Sequence, residues 1–288
     1  MTRFTARLNR RSKLNGDTPL GGIPVRQSPF SLAGVATLLV TVSAVQLFGF
    51  GTAWGYASLL AGVGLGLLSS RALGRDLFII AAGLGIVSSI SVAADISWPN
   101  FFLMGFVLAA AVVVPFLLSR FVFQDRAIVF PSRPGHPWSE FEWLWLGCVI
   151  VLAWLILPRY FIHSGAYANW PSVSTPSEIG RLFVGVNAVG IWDELFFICT
   201  IFALLNRHFH FWVANLFTAA IFVSFLWELG YRSWGPYITI PFALVQAVIF
   251  TRTKSLPYTI AVHLLFDFVV FLSIVHAHHR HWLPIFWY

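Results

Sequence analysis

Residues 192–205, WDELFFICTIFALL, place two adjacent acids, Asp193 and Glu194, in a segment otherwise apolar enough to cross a lipid bilayer. Further ionisable side chains follow in similarly apolar surroundings: Glu228, His263 and Asp267. A carboxylate within hydrocarbon costs about 2.5–3.5 kcal/mol on insertion scales, so residues of this kind indicate a functional site. The stretch from residue 192 to residue 268 therefore decides the fold and the function to be expected of the chain.

Composition indicates a membrane protein. Of the 288 residues, 58% are hydrophobic and only 10% are charged, and the mean hydropathy is +0.79. This leaves too little polar surface for a soluble globule. The apolar runs have the length of helices, without the short alternating pattern of transmembrane strands, so they predict an all-α, polytopic helical bundle. Cys148 and Cys199 both fall in apolar segments and are interpreted as small core residues.

Hydropathy predicts about nine transmembrane helices, each near the length of about 17 to 25 residues that a crossing requires. The predicted segments are 30–50, 52–70, 76–96, 100–123, 140–160, 183–206, 211–231, 235–251 and 256–276. Four regions follow from this pattern. They are a basic arm at 1–29, an N-terminal four-helix extension at 30–124, a proline-rich inner loop at 125–137 and a core at 138–288.

The distribution of basic residues predicts the orientation. If the arm is inside, fourteen of the 18 Lys and Arg residues lie in inner segments and four lie in outer ones. This bias predicts a multi-pass protein of the plasma (inner) membrane with a cytoplasmic N-terminus. It also explains the net charge of +7 through contact with the lipid bilayer, without a nucleic-acid partner.

The spacing of the ionisable residues suggests chemistry but leaves its type open. Asp193 and Glu194 would point about 100° apart on an α-helix, so one would act while the other supports it. His263 and Asp267 are four residues apart and share a helix face. Such groups can activate water and polarise a carbonyl. They could equally carry ions or protons, or form a structural polar network. Zinc would accept these ligands but is weakly supported, because the sequence has no HExxH, so no cofactor is expected.

Three segments resemble motifs of the CPBP family, the CAAX prenyl protease and bacteriocin-processing proteins. Residues 192–205 are similar to its first motif, EExxxR. Residues 252–267, RTKSLPYTIAVHLLFD, resemble its third motif, RTGSL followed by HxxxN or HxxxD. Residues 222–231, FVSFLWELGY, align with the second motif, FxxxH, if Trp227 stands for the aromatic and Tyr231 for the histidine. The resemblance covers residues 183–276, about a third of the chain.

The resemblance implies an intramembrane endopeptidase, similar to CAAX-processing enzymes, that hydrolyses a membrane-associated protein or peptide. Carried over by position, Asp193 would be the base that activates water, and Glu194 would be its supporting carboxylate. His263 and Asp267 would lie on the oxyanion side. The family is also described as metalloprotease-like, although a carboxylate mechanism without metal is its favoured interpretation.

Three positions depart from the family motifs. Asp193 is one methylene shorter than the expected glutamate, and Ile198 replaces the arginine that would pair with Glu194. Tyr231 replaces the histidine, and a phenol with a pKa of about 10 is a poor base, so Glu228 is a possible substitute. These departures motivate an alternative, in which the chain is a catalytically silent CPBP relative acting as an immunity or binding partner.

Overall fold

The structure, a computed structural model, describes residues 26–132 and 137–288. Within these residues the chain folds into nine helices, and its only extended pairing is an isolated bridge between Gln27 and Phe209. The prediction of an all-α fold is therefore confirmed. The helices are α1 Leu32–Gly49, α2 Trp54–Ser69, α3 Arg71–Val87, α4 Trp98–Val122, α5 Glu140–Ser164, α6 Pro176–Leu205, α7 Phe211–Leu229, α8 Pro236–Thr253 and α9 Leu256–His278.

The nine helices follow the nine predicted segments in order. Six of those in the described part of the chain are long and apolar enough to span a membrane: α1, α4, α5, α6, α7 and α9. Another, α2, is apolar but only 16 residues long. The polytopic membrane bundle is thus confirmed, whereas the number of nine crossings stays a prediction. Residues 1–25 of the predicted basic arm and residues 133–136 of the predicted inner loop lie outside the described residues.

Capping side chains set helix ends that hydropathy placed differently. Helix α6 begins at Pro176, seven residues before the predicted segment, because Thr175 and Glu178 form a capping box there. Helix α3 begins earlier and ends earlier than predicted. The hydroxyl of Ser70 accepts a hydrogen bond from the backbone N–H of Leu73, at 3.1 Å, and a serine-rich connection follows Val87.

Helix α6 occupies the centre of the bundle. Within the apolar stretch of α6, 78% of the residues are buried, compared with 28% in that of α4. The second half of α6 contacts four helices: α4, α7, α8 and α9. Helix α9 in turn lies between α5 and α6. Side chains from the middle of α6 therefore face other helices, which is the only place where a membrane protein can keep acids away from lipid.

An ionic network joins three parts of the chain at the end of the bundle where α6 stops. Asp76 is fully buried and is paired with Arg207, at 3.2 Å, and with His208, at 2.8 Å. Asp125 receives hydrogen bonds from Arg75, at 2.8 Å, and from Arg207, at 2.7 Å. The network connects α3, the chain that follows α4 and the turn between α6 and α7, so it ties the N-terminal helices to the central helix.

Candidate active site

Three carboxylates surround the imidazole of His263. The Nδ1 atom lies 2.7 Å from Glu194 Oε1, and the Nε2 atom lies 3.6 Å from Asp193 Oδ2 and 3.8 Å from Asp267 Oδ2. All four side chains are buried. The structure therefore brings together four of the five predicted catalytic residues from two helices, α6 and α9.

The helix type changes between the two adjacent acids, and both of them reach one imidazole. Residues Glu194–Phe202 of α6 form a π-helix, in which backbone bonds span five residues instead of four. The hydroxyl of Thr200 adds a bond of 2.9 Å to the carbonyl oxygen of Leu195 within this segment. The two acids approach opposite ring nitrogens, which agrees with the expected angle of about 100° between them. Glu194 holds one nitrogen and Asp193 faces the other.

Gln246, in the middle of α8, is a fifth polar group of the cluster, and sequence analysis missed it. Its Nε2 donates to Glu194 Oε1 at 2.7 Å, and the residue is fully buried. An ionised carboxylate only accepts hydrogen bonds, so with Glu194 ionised Nδ1 of His263 donates to the same oxygen, and Nε2 faces Asp193 and Asp267. The only signal in the sequence was a lone amide in an apolar helix, which does not reveal the direction in which it points.

The motif arginine has no counterpart at Ile198. This side chain is fully buried in the hydrophobic core. Glu194 instead receives its hydrogen bonds from an imidazole and from an amide that comes from a different helix. The departure at Ile198 is thus compensated in hydrogen bonding, although not in charge.

Gly190 lets α9 approach α6 closely beside the cluster. A Cβ atom at this position would overlap Asp267 Oδ2 and would lie 3.1 Å from His263 Cδ2. Glycine therefore leaves room for the acid and the imidazole in the positions that they occupy against the backbone of α6. Gly190 lies within an unremarkable apolar run, and sequence analysis did not single it out.

A cavity of about 290 Å³ borders the cluster. Most of its wall is apolar and comes from five helices, α4, α6, α7, α8 and α9. Asp193, His263 and Asp267 line it, whereas Glu194 and Gln246 lie behind them. Asp193 Oδ1 and Asp267 Oδ2 are buried and have no hydrogen-bond partner among the described residues. Buried carboxylate oxygens of this kind are available to a water or a substrate group in the cavity.

Tyr231, the fifth predicted residue, lines the same cavity from the turn after α7. Its ring packs against Trp170, with centroids 5.7 Å apart, and against Tyr160, at 6.3 Å. Burial, with the nearby acids Asp267 and Asp193, raises the pKa of the Tyr231 phenol well above its ordinary value. The phenol is therefore a hydrogen-bond donor at neutral pH and not a base.

Glu228 lies apart from the cluster. Its carboxylate accepts hydrogen bonds from the Ser91 hydroxyl, at 3.1 Å, and from the backbone N–H of Val92, at 3.2 Å. Both partners belong to the connection between α3 and α4. Glu228 does not line the cavity, so the structure does not place it where a substitute for the missing histidine would have to be.

The site does not have the geometry of a metal centre. Within residues 26–132 and 137–288, no group of three or more His, Cys, Asp and Glu side chains is arranged to hold an ion. The Nδ1 atom of His263, moreover, is already engaged by Glu194.

Comparison with known proteins supports the resemblance read from the motifs. No curated protein and no solved structure gives a significant match to the chain. A family model does match, over the segment that carries the residues of the cluster from α6 to α9. Residues 175–269 of this chain match the family described as type II CAAX prenyl endopeptidase Rce1-like, which confirms the predicted similarity to CPBP proteins.

Proposed function

We propose that the chain is an intramembrane endopeptidase that hydrolyses a membrane-associated protein or peptide with water activated by a carboxylate. One observation carries the proposal. The Nε2 atom of His263 lies between the carboxylates of Asp193 and Asp267, at 3.6 Å and 3.8 Å, in the wall of an apolar cavity. A base and an oxyanion donor are thereby adjacent to space where a peptide carbonyl fits.

The chemistry assigned to these groups is a direct hydrolysis. Asp193 accepts a proton from a water in the cavity as the water oxygen attacks the peptide carbonyl carbon. His263 in its imidazolium form donates from Nε2 to the carbonyl oxygen, which becomes the oxyanion. The C–N bond then breaks, and the proton held by Asp193 passes to the leaving nitrogen.

The remaining groups support this reaction. Asp267 can donate to the oxyanion only when it carries a proton, because an ionised carboxylate is an acceptor alone. Tyr231 supplies a neutral hydroxyl to the cavity wall, suited to orienting a substrate carbonyl. Glu194 holds Nδ1 of His263 and is itself held by Gln246, so this pair sets the direction of the imidazole.

Reconstitution in proteoliposomes tests the proposal. Membrane-anchored reporter peptides with apolar segments should be cleaved by the wild-type chain, and Asp193→Asn should lower cleavage by about 10²–10⁴-fold, as loss of a general base does. Glu194→Gln and His263→Ala should also abolish it while the protein remains folded. The matched control is Glu228→Gln, which lies outside the cluster and should retain activity. Undiminished cleavage in all three cluster variants would refute the mechanism.

A catalytically silent relative is the second candidate, and it is favoured by two substitutions within the motifs. Ile198 and Tyr231 stand where the family has an arginine and a histidine. In this case the chain would capture a membrane peptide without cutting it. Cross-linking of the same reporters would then be unchanged in Asp193→Asn, and wild-type protein would release no product.

A further inference from the structure

The cavity reaches only one end of the helical bundle. Helices α4, α6 and α8 begin at this end, and α5, α7 and α9 finish there. The wall includes Ala94, Asp95 and Ile96 from the connection between α3 and α4. It also includes Trp170 from the connection between α5 and α6, and Tyr231 from the connection between α7 and α8. Within the described residues, no connection at the opposite end contributes to the wall.

Depth along the helices agrees with this placement. Asp193 lies about 26 Å along α6 from Pro176, and Asp267 lies about 17 Å from either end of α9, at 1.5 Å per residue. The lining residues of α4 and α7 are those nearest the same end, such as Phe101 and Leu229. The cavity therefore runs from mid-depth to one membrane face.

The opposite face is closed. Between the cluster and this opposite face, aromatic side chains of α6 and α7 fill the core. The rings of Phe197 and Phe222 are stacked there, with their centroids 4.3 Å apart. At the end of α6 lies the ionic network of Asp76 and Asp125 described above. The backbone N–H of Gln27 adds a bond of 2.8 Å to the carbonyl oxygen of His208 at this end.

Charge distinguishes the two faces. The closed face carries seven basic residues of the described helices and connections: Arg71, Arg75, Arg120, Arg126, Arg207, Arg252 and Lys254. The face with the cavity carries four: Arg159, Arg181, Arg232 and Arg280. Arg26, next to the residue that bonds His208, adds an eighth basic residue to the closed side. Short loops rich in Lys and Arg remain in the cytoplasm, so the closed face is the cytoplasmic one.

We infer that the site takes its substrate from the extracytoplasmic face of the membrane, which would make that substrate an exported or outward-facing segment of a membrane-associated protein. The inference rests on the proposed function for its substrate, but the direction of access follows from the cavity and the charges. It distinguishes this chain from an enzyme that trims the prenylated C-termini of cytosolic proteins.

The lining also restricts the chemistry of the segment. Most of the wall is apolar, its three acidic side chains are Asp95, Asp193 and Asp267, and its one basic side chain is His263. No Lys or Arg occurs among the described lining residues. Repulsion between like charges disfavours an acidic segment, so the cavity suits an apolar segment that is neutral or basic.

Cysteine labelling in intact cells tests the direction of access. In a background with Cys148→Ala and Cys199→Ala, a single cysteine is introduced as Asp95→Cys at the cavity mouth. The matched probe is Val129→Cys, an exposed site in the connection between α4 and α5 at the closed face. A membrane-impermeant maleimide should label the first in intact cells and the second only after permeabilisation. The reverse pattern would overturn the inference.

A second arm separates this inference from the proposed function. Two reporters carry the same apolar segment, one displayed outside and one inside the membrane of the same cells. Cleavage of the outer reporter is expected. Cleavage of the inner reporter alone would refute the direction of access and leave the peptidase activity standing. Cleavage of neither, with Asp95→Cys labelled from outside, would refute the activity and leave the direction of access standing.

Discussion

The imidazole of His263 and the carboxylate of Glu194 form a buried pair with 2.7 Å between Nδ1 and Oε1. Glu194 does not line the cavity, whereas His263 does. Glu194 therefore lies behind the imidazole ring as seen from the cavity. A carboxylate in this position fixes the ring orientation and tautomer of a functional histidine, as partners of metal-bound and catalytic histidines commonly do.

Gln246→Leu tests whether the orientation of His263 depends on the hydrogen bonds of Glu194. Loss of the amide removes a donor at 2.7 Å from Glu194, so kcat should fall by about tenfold. KM should change little, because Gln246 lies outside the cavity wall. The imidazole nitrogen signals of His263 in NMR should shift as well.

Asn215→Leu provides the matched control for Gln246. Asn215 is also a fully buried amide, and it donates to the carbonyl oxygen of Leu244 in α8 at 3.0 Å. Its replacement should lower the thermal midpoint without a shift in the His263 signals. Equal effects of both substitutions on kcat would indicate that Gln246 acts only through stability.

Gly190→Ala should displace Asp267 and His263. The added methyl group would overlap the acid, so α6 and α9 must separate or the cluster must rearrange. Overpacking of this kind costs about 1–3 kcal/mol and should abolish reporter cleavage. Gly180→Ala, in the same helix but with open space around its Cβ position, should keep both the thermal midpoint and the activity. Normal cleavage by Gly190→Ala would contradict the close packing.

Tyr231→Phe should lower reporter cleavage by about tenfold, the effect of losing one hydrogen bond to a substrate group. Because burial and the neighbouring acids raise the pKa of Tyr231 well above its usual value, the phenol stays protonated through alkaline pH. Ionisation of Tyr231 should therefore not lower cleavage near pH 10, and the wild-type protein and Tyr231→Phe should show the same alkaline pH dependence. Tyr56→Phe on α2, whose hydroxyl contacts Ser88 instead, serves as the control.

Acid sensitivity should depend on Asp125. Partial burial raises its pKa, but the hydrogen bond and charge of Arg207 outweigh this, and the net effect lowers the pKa of Asp125. A lowered folded-state pKa means that the stabilisation is present above the unfolded value of about 3.9 and is lost as pH falls through the folded one. The thermal midpoint should drop across this acidic range in wild type.

Asp125→Asn should have a lower thermal midpoint at neutral pH and a weaker dependence on acid. Asp95→Asn, at the opposite face of the bundle, is the comparison variant. An unchanged acid profile in Asp125→Asn would show that the network of Arg75 and Arg207 does not stabilise the fold.

The sequence predicted the helices well because apolar runs of crossing length leave few alternatives. Helix ends such as Pro176 were missed because a capping box is polar and lowers hydropathy. His263 and Asp267 were correctly placed on one face from their spacing of four. The π-helix at Glu194–Phe202 was not predicted, because this helix type has no recognised signature in one sequence.

Sequence analysis did not predict which residues of different helices contact each other. Neither Gln246 nor Gly190 has a neighbour in the chain that identifies its partner, since the rotation of each helix is set by packing. Packing likewise sets the direction of Glu228 in α7, whose carboxylate accepts hydrogen bonds from Ser91 and Val92 and does not line the cavity.

Helix α4 lies outside the segment that matches the family, yet Phe101, Met104 and Leu108 form part of the cavity wall. The matched third of the chain supplies the acids and the imidazole but does not by itself enclose the space in which they act. Grafting residues 175–269 onto another protein would therefore transfer the reactive groups without their enclosure. In the proposed peptidase, substitutions in α4 can therefore change the substrate preference during evolution while the family motifs stay the same.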